Sequence, residues 1–430
     1  MDFYNKYILC TLAVLAAISV SWVSTIQNES AFLSSILDKC DGDGLPRMDK
    51  LTGDCQLRLI YVQVDRSEPS KPELNFHSLG IGAPDYFYPA SLVKLPLTLM
   101  TLERLEEIRK QSAPWVSRNS RVEFIKAEPC QTNLEKDSTS KELHPTMAHF
   151  IRRILTVSDN PSYNRLYDFL GQGEIRRRLV QKGLKHTRIP VRLNDCKWDQ
   201  NKYAPYVRII DDKTGHIHHI PARLNSDSVG LYGQNRKAGK AYVEGNRTHW
   251  KPKDFSQSNE LPLEECLDML VRFCLPEAIS KDRSWQISMD DRQFLWQYLG
   301  TYPLQSGLKE YADTTLYPKY LKKYFLRNAS NELRNKPTLK VFNIVGLSYG
   351  FASDVSYVVD LENGVEFFLA ASIIANENGI IGDGKYNYES LAFPLFGRIF
   401  NQIYNYEKNR KRNATYDFKE IREALAKPMM

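Results

Sequence analysis

The chain has 430 residues, which is enough for a substantial hydrophobic core in one large domain or in two. Hydrophobic residues make up 42% of the chain and charged residues 25%, a balance typical of globular proteins rather than disordered or fibrous ones. The formal net charge of +7 arises from Lys and Arg spread along the sequence. No nucleic-acid-binding motif accompanies them, so we expect no nucleic-acid partner.

An apolar run without charges, YILCTLAVLAAISVSWVS, occupies residues 7–24. Its length suits either a secretory signal peptide or a short membrane anchor. We therefore expect an exported protein, periplasmic or extracellular. Residues 1–24 would be removed or retained as an anchor, and residues 25–54 would form a short N-terminal segment of loop and helix.

The chain contains seven cysteines. Cys10 lies in the apolar run, and the remaining even number permits disulfides in an exported protein. Cys40 and Cys55 bracket a turn-rich loop that closes easily, so we predict a bond between them. Cys266 and Cys274 fall in one predicted helix, where a rise of about 1.5 Å per residue puts them about 12 Å apart, beyond disulfide reach.

The predicted elements follow a simple order along the chain. QLRLIYVQVDR (residues 56–66) alternates and is rich in β-branched and aromatic residues, which predicts a strand, and KPELNFHSLG is expected to pair with it. Leucines at helical spacing predict a helix from Ser91, and helices continue to about Leu326 except for loops and a hairpin at about 188–256. Strands return with LKVFNIVG, DVSYVVDL and VEFFLAASII, before a final amphipathic helix.

Strands therefore stand at both ends of the domain, with helices between them. The simplest arrangement is one antiparallel sheet built from both chain ends, flanked by helices, beside a helical lobe, which is α/β in the broad sense and α+β in the strict one. We assign this domain to residues 55–407, with an insertion at about 188–256 and a polar tail at 408–430. A ligand cleft is expected where the lobe meets the sheet.

A serine and a lysine stand three residues apart at the start of one predicted helix, in FYPASLVKLP. Lys94 lies one helical turn from Ser91, so both side chains can face one cleft. A serine hydroxyl becomes a good nucleophile when a neighbour takes its proton, and a lysine can do so when burial or nearby positive charge lowers its pKa. Because S-x-x-K is common by chance, the pair alone indicates a capping serine and a surface lysine.

A second motif, Ser158-Asp159-Asn160, stands directly before another predicted helix. These residue types all suit helix starts, so this motif also has a purely structural interpretation. Together, with 67 residues from Ser91 to Ser158, the two motifs resemble those of the active-site serine penicillin-binding proteins and class A β-lactamases. The resemblance covers roughly residues 55–407.

The resemblance implies a role for each matching residue. Ser91 would be the nucleophile that is acylated, and Lys94 would be its base partner. Ser158 would pass a proton to the leaving group, and Asn160 would donate to the substrate and contact Lys94. Asp159 would brace its loop.

The family's third motif is K-[ST]-G on the strand that faces the serine. A literal KTG occurs at residues 213–215, but it lies between two short β-like runs and is predicted to be a hairpin turn. NIVGLSYG, at residues 343–350, follows the family's order better and puts Ile344 at the lysine position. In this register, the resemblance implies that the oxyanion hole and substrate-binding segment comprise Ser91, Gly346, Leu347, Ser348 and Tyr349.

Class A β-lactamases also carry a glutamate, in E-x-x-L-N, that activates water for deacylation. Here the corresponding stretch is IPVRLNDCKWDQ, in which Asp195 and Asp199 are the nearest carboxylates. The resemblance therefore implies an acyl-enzyme on Ser91, formed from a β-lactam, a peptidoglycan peptide or an ester and hydrolysed slowly. The substrate would be a small molecule or a cell-wall peptide, and no metal or cofactor would be required.

Two alternatives remain open. One is an esterase or amidase unrelated to β-lactams. The other is a degenerate binding module without catalysis, for which Ile344 is the main argument.

Overall fold

The computed structural model describes residues 30–40, 46–68, 70–82, 86–140, 143–193, 196–227, 236–414 and 416–429. The apolar run at residues 7–24, predicted as a signal peptide or anchor, lies outside these ranges. Within them, no helix combines the length and the apolar character needed to cross a membrane.

The strands in chain order are β1 (Arg58–Glu68), β2 (Lys71–Leu79), β3 (Arg121–Ile125), β4 (Tyr203–Ala204), β5 (Tyr206–Ile210), β6 (Ile217–Ile220), β7 (Arg223–Leu224), β8 (Lys237–Ala238), β9 (Ala241–Glu244), β10 (Arg247–His249), β11 (Lys253–Asp254), β12 (Leu339–Ser348), β13 (Phe351–Asp360), β14 (Val365–Ile374) and β15 (Ile380–Ile381). The α-helices are α1 (Ala31–Asp38), α2 (Met48–Thr52), α3 (Lys94–Gln111), α4 (Met147–Val157), α5 (Asn160–Leu170), α6 (Gln172–Gln181), α7 (Leu263–Cys274), α8 (Met289–Gly300), α9 (Tyr324–Arg327), α10 (Asn331–Asn335), α11 (Phe393–Asn409) and α12 (Lys419–Ala426).

The main sheet joins the two ends of the domain. Its five antiparallel strands have the order β12-β13-β14-β1-β2. β1 pairs with β14, so that Arg58 lies opposite Ser372. Helix α11 packs on β14, whereas α7 and α8 contact β13 and β12. This confirms the predicted architecture of one sheet built from both chain ends and flanked by helices.

The last three strands of this sheet are almost wholly buried. Because packed helices cover both faces, successive residues of these strands are buried on both sides of the sheet instead of alternating between buried and exposed. Two core clusters result, and α3 contributes to the one that extends into the helical lobe. Helix α3 is buried on most of its circumference, as expected of a helix at the centre of a lobe.

The disulfide of the structure differs from the prediction. It joins Cys130 to Cys196, which are 66 residues apart in sequence. Cys40 and Cys55 are both buried in the apolar core and are not joined to each other, so the predicted bond between them is wrong. A short intervening loop makes closure easy, but the fold decides which thiols meet.

The C-terminal residues, predicted as a polar tail, include helix α12. Phe418, Ile421 and Ala424 are buried, and α12 packs on α8. The apolar spacing of these three positions along one helix face explains why a segment of polar composition packs against the lobe.

Candidate active site

Ser91 and Lys94 lie where the chain enters helix α3. Ser91 belongs to a 3₁₀ turn at Ala90–Val93, and Lys94 is the first residue of α3. Ala90, directly before the serine, has a φ of 46°, a conformation that costs a non-glycine residue about 1–3 kcal/mol. The turn is therefore held in shape by its surroundings.

The amine of Lys94 connects the two motifs. Its Nζ lies 2.8 Å from Ser91 Oγ, 2.9 Å from Ser158 Oγ and 2.6 Å from Asn160 Oδ1, and it also donates to the backbone carbonyl of Ser158. The structure therefore brings together all four residues for which the sequence predicts a catalytic role. Among the described residues, the contacts of this amine include no carboxylate.

These contacts suit a neutral amine. A carbonyl oxygen and an amide oxygen can only accept, so the Ser158 carbonyl and Asn160 take the two hydrogens that a neutral lysine carries. The lone pair of Nζ then remains for a serine hydroxyl. A buried ammonium with no anionic partner would be costly, whereas a buried neutral amine with these contacts is satisfied.

The surroundings of Lys94 favour this state. The side chain is completely buried, and burial is the main cause that holds its pKa well below the usual range of a lysine. The positive charge of Lys322 lowers the pKa further, and the negative charge of Asp159 opposes the change. A lowered pKa favours the neutral amine, which is the form in which a lysine can act as a base.

Ser158 is positioned by a sharp change of direction between two helices. It ends α4 in a left-handed conformation with a φ of 65°, and Asp159 then caps α5 by accepting from Ser162 N at 2.7 Å. Arg153 binds the same carboxylate. Burial alone would raise the pKa of Asp159, but the bonds from Arg153 and Ser162 outweigh it and lower the pKa. Asp159 thus holds the loop as an anion.

Asn160 differs from Lys94 because its side chain is exposed. Its amide oxygen faces the amine of Lys94, so the Nδ2 hydrogens are available to a ligand in the cleft. This orientation fits the implied role of Asn160 as a donor to the substrate.

Strand β12 approaches the Ser91 turn at Gly346. A Cβ atom on this residue would lie 2.5 Å from the carbonyl oxygen of Pro89 and 3.3 Å from Leu92, so no larger residue fits without movement. Ile344, two residues earlier, is completely buried in the core cluster of the lobe. Leu347, directly after Gly346, is 38% exposed.

The turn after β12 carries another non-glycine residue with positive φ. Tyr349 has a φ of 56° and Gly350 a φ of 88°, between the paired residues Ser348 and Phe351. Positive φ at both central residues is typical of a type I′ hairpin turn, a position that disfavours tyrosine. Backbone strain of this kind clusters at functional sites, and Ala90 and Ser158 are also non-glycine residues with positive φ.

An aromatic cluster at this site was missed by the sequence analysis. The ring of Tyr88 lies 5.3 Å from that of Tyr349 and 5.2 Å from that of Phe255. The ammonium of Lys253 lies 5.8 Å from the centre of the Tyr349 ring. Phe255 and Lys253 come from the predicted insertion, which carries no sequence signal that relates it to Ser91.

The literal KTG at residues 213–215 lies elsewhere in the fold. It forms the exposed turn between β5 and β6, where Thr214 binds the side chain of Asp211 at 2.5 Å. This agrees with its prediction as a hairpin turn. Of the carboxylates considered for deacylation, Asp199 has a side chain that is 83% exposed and paired with Lys202, and Asp195 lies outside the described residues.

A cavity of about 580 Å³ borders the ends of β13 and β14 but does not include the motif residues in its lining. It contains Cys55, for which burial raises the pKa of the thiol. A thiol of this kind is a poor nucleophile, so Ser91 remains the better candidate. In the described part of the chain, no group of three or more His, Cys, Asp and Glu side chains is arranged to hold a metal ion.

Comparison with known proteins links one segment of the chain to a family. Residues 72–211 match the family described as "Beta-lactamase enzyme family". This segment contains both motifs and ends before β12, and its match supports a relationship to β-lactamase-type serine hydrolases. No curated protein matches the chain.

Several solved β-lactamase structures are similar to the chain. TLA-1 extended-spectrum β-lactamase has 12% identity and a TM-score of 0.46, with 87% of this chain and 96% of that chain covered. A β-lactamase from Burkholderia ambifaria has 11% identity and a TM-score of 0.46, covering 89% and 100%. A class A β-lactamase from Bacteroides cellulosilyticus has 11% identity and a TM-score of 0.45, covering 88% and 98%.

Proposed function

We propose that this protein is a serine hydrolase that forms an acyl-enzyme on Ser91. The observation that carries the proposal is the contact set of Lys94, a buried amine whose acceptor-only partners leave its lone pair for a serine hydroxyl. The family match over residues 72–211 supports the same reaction class.

In the proposed reaction, Lys94 Nζ takes the Ser91 proton as Oγ bonds to the substrate carbonyl carbon. The carbonyl π electrons move to the oxygen, where backbone N–H groups of Ser91 and Leu347 are proposed to stabilise the negative charge. When the intermediate collapses, the bond to the leaving group breaks, and the leaving group takes a proton from Ser158. The Lys94 ammonium restores that proton, so Lys94 is neutral again once the ester on Ser91 has formed.

Deacylation is proposed to be slow. In the described residues, the contacts of Ser91, Lys94 and Ser158 include no carboxylate that could activate water. Lys94 is the remaining base, and a water molecule must then approach an acyl group that occupies the cleft. Formation of the acyl-enzyme should therefore outpace its hydrolysis.

A second candidate, an esterase or amidase for uncharged acyl substrates, is favoured by the apolar character of β12. The buried Ile344 provides no cation for a substrate carboxylate, and the partly exposed Leu347 presents apolar surface beside Ser91. If the protein is instead a hydrolase of β-lactams or peptidoglycan peptides, these substrates must bind beside the same apolar surface.

Export remains part of the proposal. The apolar run at residues 7–24 supports it, and so does the Cys130–Cys196 bond, because disulfides persist in oxidising compartments. Retention in a membrane through residues 7–24 is the proposed alternative to cleavage.

The two candidates can be separated by measuring acylation and deacylation individually. Stopped-flow and intact-mass measurements would follow one activated neutral ester and one fluorescent penicillin. Rapid labelling by both, followed by slow loss of the adduct, supports the first candidate, and labelling by the ester alone supports the second. Absence of labelling by either probe, with the protein folded, would indicate a binding module without catalysis.

A further inference from the structure

A second buried amine lies behind the loop that carries Ser158. Lys322 is 5% exposed, and its Nζ donates to the carbonyl oxygens of Leu155 at 2.7 Å and Ile154 at 3.2 Å. These carbonyls belong to the last turn of α4, where helix geometry leaves carbonyl groups without partners and favours positive charge. Lys322 therefore caps α4 from outside the helix.

The same turn of backbone shapes the candidate active site. The carbonyl of Ile154 also accepts from the backbone N–H of Ser158 at 2.9 Å, and this bond sets the left-handed turn at Ser158. The carbonyl and hydroxyl of Ser158 in turn contact the amine of Lys94. Lys322 and Lys94 thus bind a single short loop through different atoms.

The segment that carries Lys322 is fixed to the main sheet. Asn343 Nδ2 donates to the carbonyl of Lys322 at 2.7 Å and to Asp354 at 2.9 Å. Asp354 also accepts from the backbone of Tyr324 at 2.9 Å. The adjacent Lys323 points differently, with its Nζ bonded to Asn343, Leu299 and Val341 at 2.6–2.7 Å. Two neighbouring buried lysines are thereby committed to different tasks.

We propose that Lys322 is a positioning residue for the reaction at Ser91: by binding the carbonyls that end α4, it fixes the Ser158 loop against Lys94. This inference rests on the proposed function. In this account the Ser158 loop is positioned by a side chain that lies just before α9, outside β12 and outside the sequence motifs.

An electrostatic effect accompanies the positioning. Burial is the main cause of the lowered pKa of Lys94, and the positive charge of Lys322 is the second cause. Burial lowers the pKa of Lys322 itself to about 7, and Asp354 opposes this change. The charged groups that act on this pair are Asp159 on the side of Lys94, and Asp354 and the adjacent Lys323 on the side of Lys322.

The test compares Lys322→Met with the matched control Lys323→Met, since both substitutions remove one buried amine from adjacent positions. The acylation rate constant for a neutral activated ester would be measured against pH. Lys322→Met should slow acylation about 10–100-fold, because small misplacements of catalytic groups have effects of this size. The acid limb of its profile should also move to higher pH, because Lys94 loses a neighbouring cation. Lys323→Met should keep the wild-type profile.

An unchanged profile in folded Lys322→Met, or the same shift in Lys323→Met, would overturn the inference. A second measurement does not depend on catalysis. In protein with ¹³C-labelled lysine, the titration midpoint of Lys94 should be higher in Lys322→Met than in the wild type, because Lys94 loses a neighbouring cation, and Lys322→Gln serves as a second variant for the same measurement. A Lys94 midpoint that stays in place in both folded variants contradicts the inference, whereas failure of the wild-type protein to acylate contradicts the proposed function.

Discussion

Two segments of the chain are candidates for the K-[ST]-G motif, and their structural surroundings differ. Residues 213–215 spell KTG but form an exposed hairpin turn, in which Gly215 has a φ of 74° and open space around it. Residues 344–346 spell IVG, yet Gly346 lies on a strand in close contact with the Ser91 turn. One glycine is required by backbone conformation and the other by lack of space. A motif is therefore better identified by what its backbone touches than by its letters.

The largest expected effect concerns the amine that links Ser91 to Ser158. Lys94→Met keeps the apolar length of the side chain and removes its base, so acylation by an activated ester should slow by about 10²–10⁴-fold. Stopped-flow measurement checks the rate, and circular dichroism checks the fold. Acylation at the wild-type rate would show that a different group takes the Ser91 proton.

A matched pair of alanine variants tests whether Gly346 and Gly215 differ in their effect on acylation. Gly346→Ala puts a methyl group 2.5 Å from the Pro89 carbonyl, so β12 must move away from Ser91. We expect acylation to slow about 10–100-fold, with a loss of about 1–3 kcal/mol in the free energy of unfolding. Gly215→Ala, which forces alanine into a left-handed conformation, should cost about 1–2 kcal/mol of stability and leave acylation unchanged.

Equal loss of acylation in both glycine variants, after correction for the folded fraction, would remove the distinction between the segments. Denaturant titration supplies that correction.

Stability against pH gives a third, smaller effect. Lys94, Lys322 and Lys323 all have lowered pKa values in the folded protein, with burial as the main cause. Between pH 7 and about 8, below the range in which unfolded cysteines and tyrosines lose protons, the unfolded chain therefore binds lysine protons that the folded protein does not, and the free energy of unfolding should rise with pH. Lys322→Met should flatten this slope, because it removes one of the three buried amines. A slope that falls across this range would contradict burial of neutral amines.

The smallest expected effect is that of Lys213→Ala. Because the side chain is exposed in the β5–β6 turn, the rate of acylation and the stability should both remain close to those of the wild type. Strong loss of acylation in the folded variant would indicate that residues 213–215 are the functional K-[ST]-G motif, and it would contradict the register based on Gly346.

The sequence was sufficient for the elements that follow from local patterns. β1, β2 and the last three strands were predicted because β-branched and aromatic residues cluster there, and the sheet confirms that the two chain ends pair. The approach of Ser91, Lys94 and Asn160 was expected from two motifs and their spacing, although neither motif was informative alone.

Other features could not be predicted because they depend on contacts distant in sequence. Lys322 and Lys323 have the composition of a charged surface segment, and their burial depends on partners such as Asn343 that the fold brings close. The Cys130–Cys196 bond joins loops that local spacing does not relate. Phe255 belongs to an insertion with no periodic pattern, and its contact with Tyr88 is visible only in the folded protein.

The central claim, an acyl-enzyme on Ser91, is tested most directly by mapping a covalent adduct. The protein would be incubated with a fluorescent penicillin or an activated ester, digested and analysed by mass spectrometry, alongside Ser91→Ala. We predict one adduct per chain on the peptide that contains Ser91, retained in Lys213→Ala and lost in Ser91→Ala. An adduct on another residue, or equal labelling of Ser91→Ala, would contradict the assignment of Ser91 as the nucleophile.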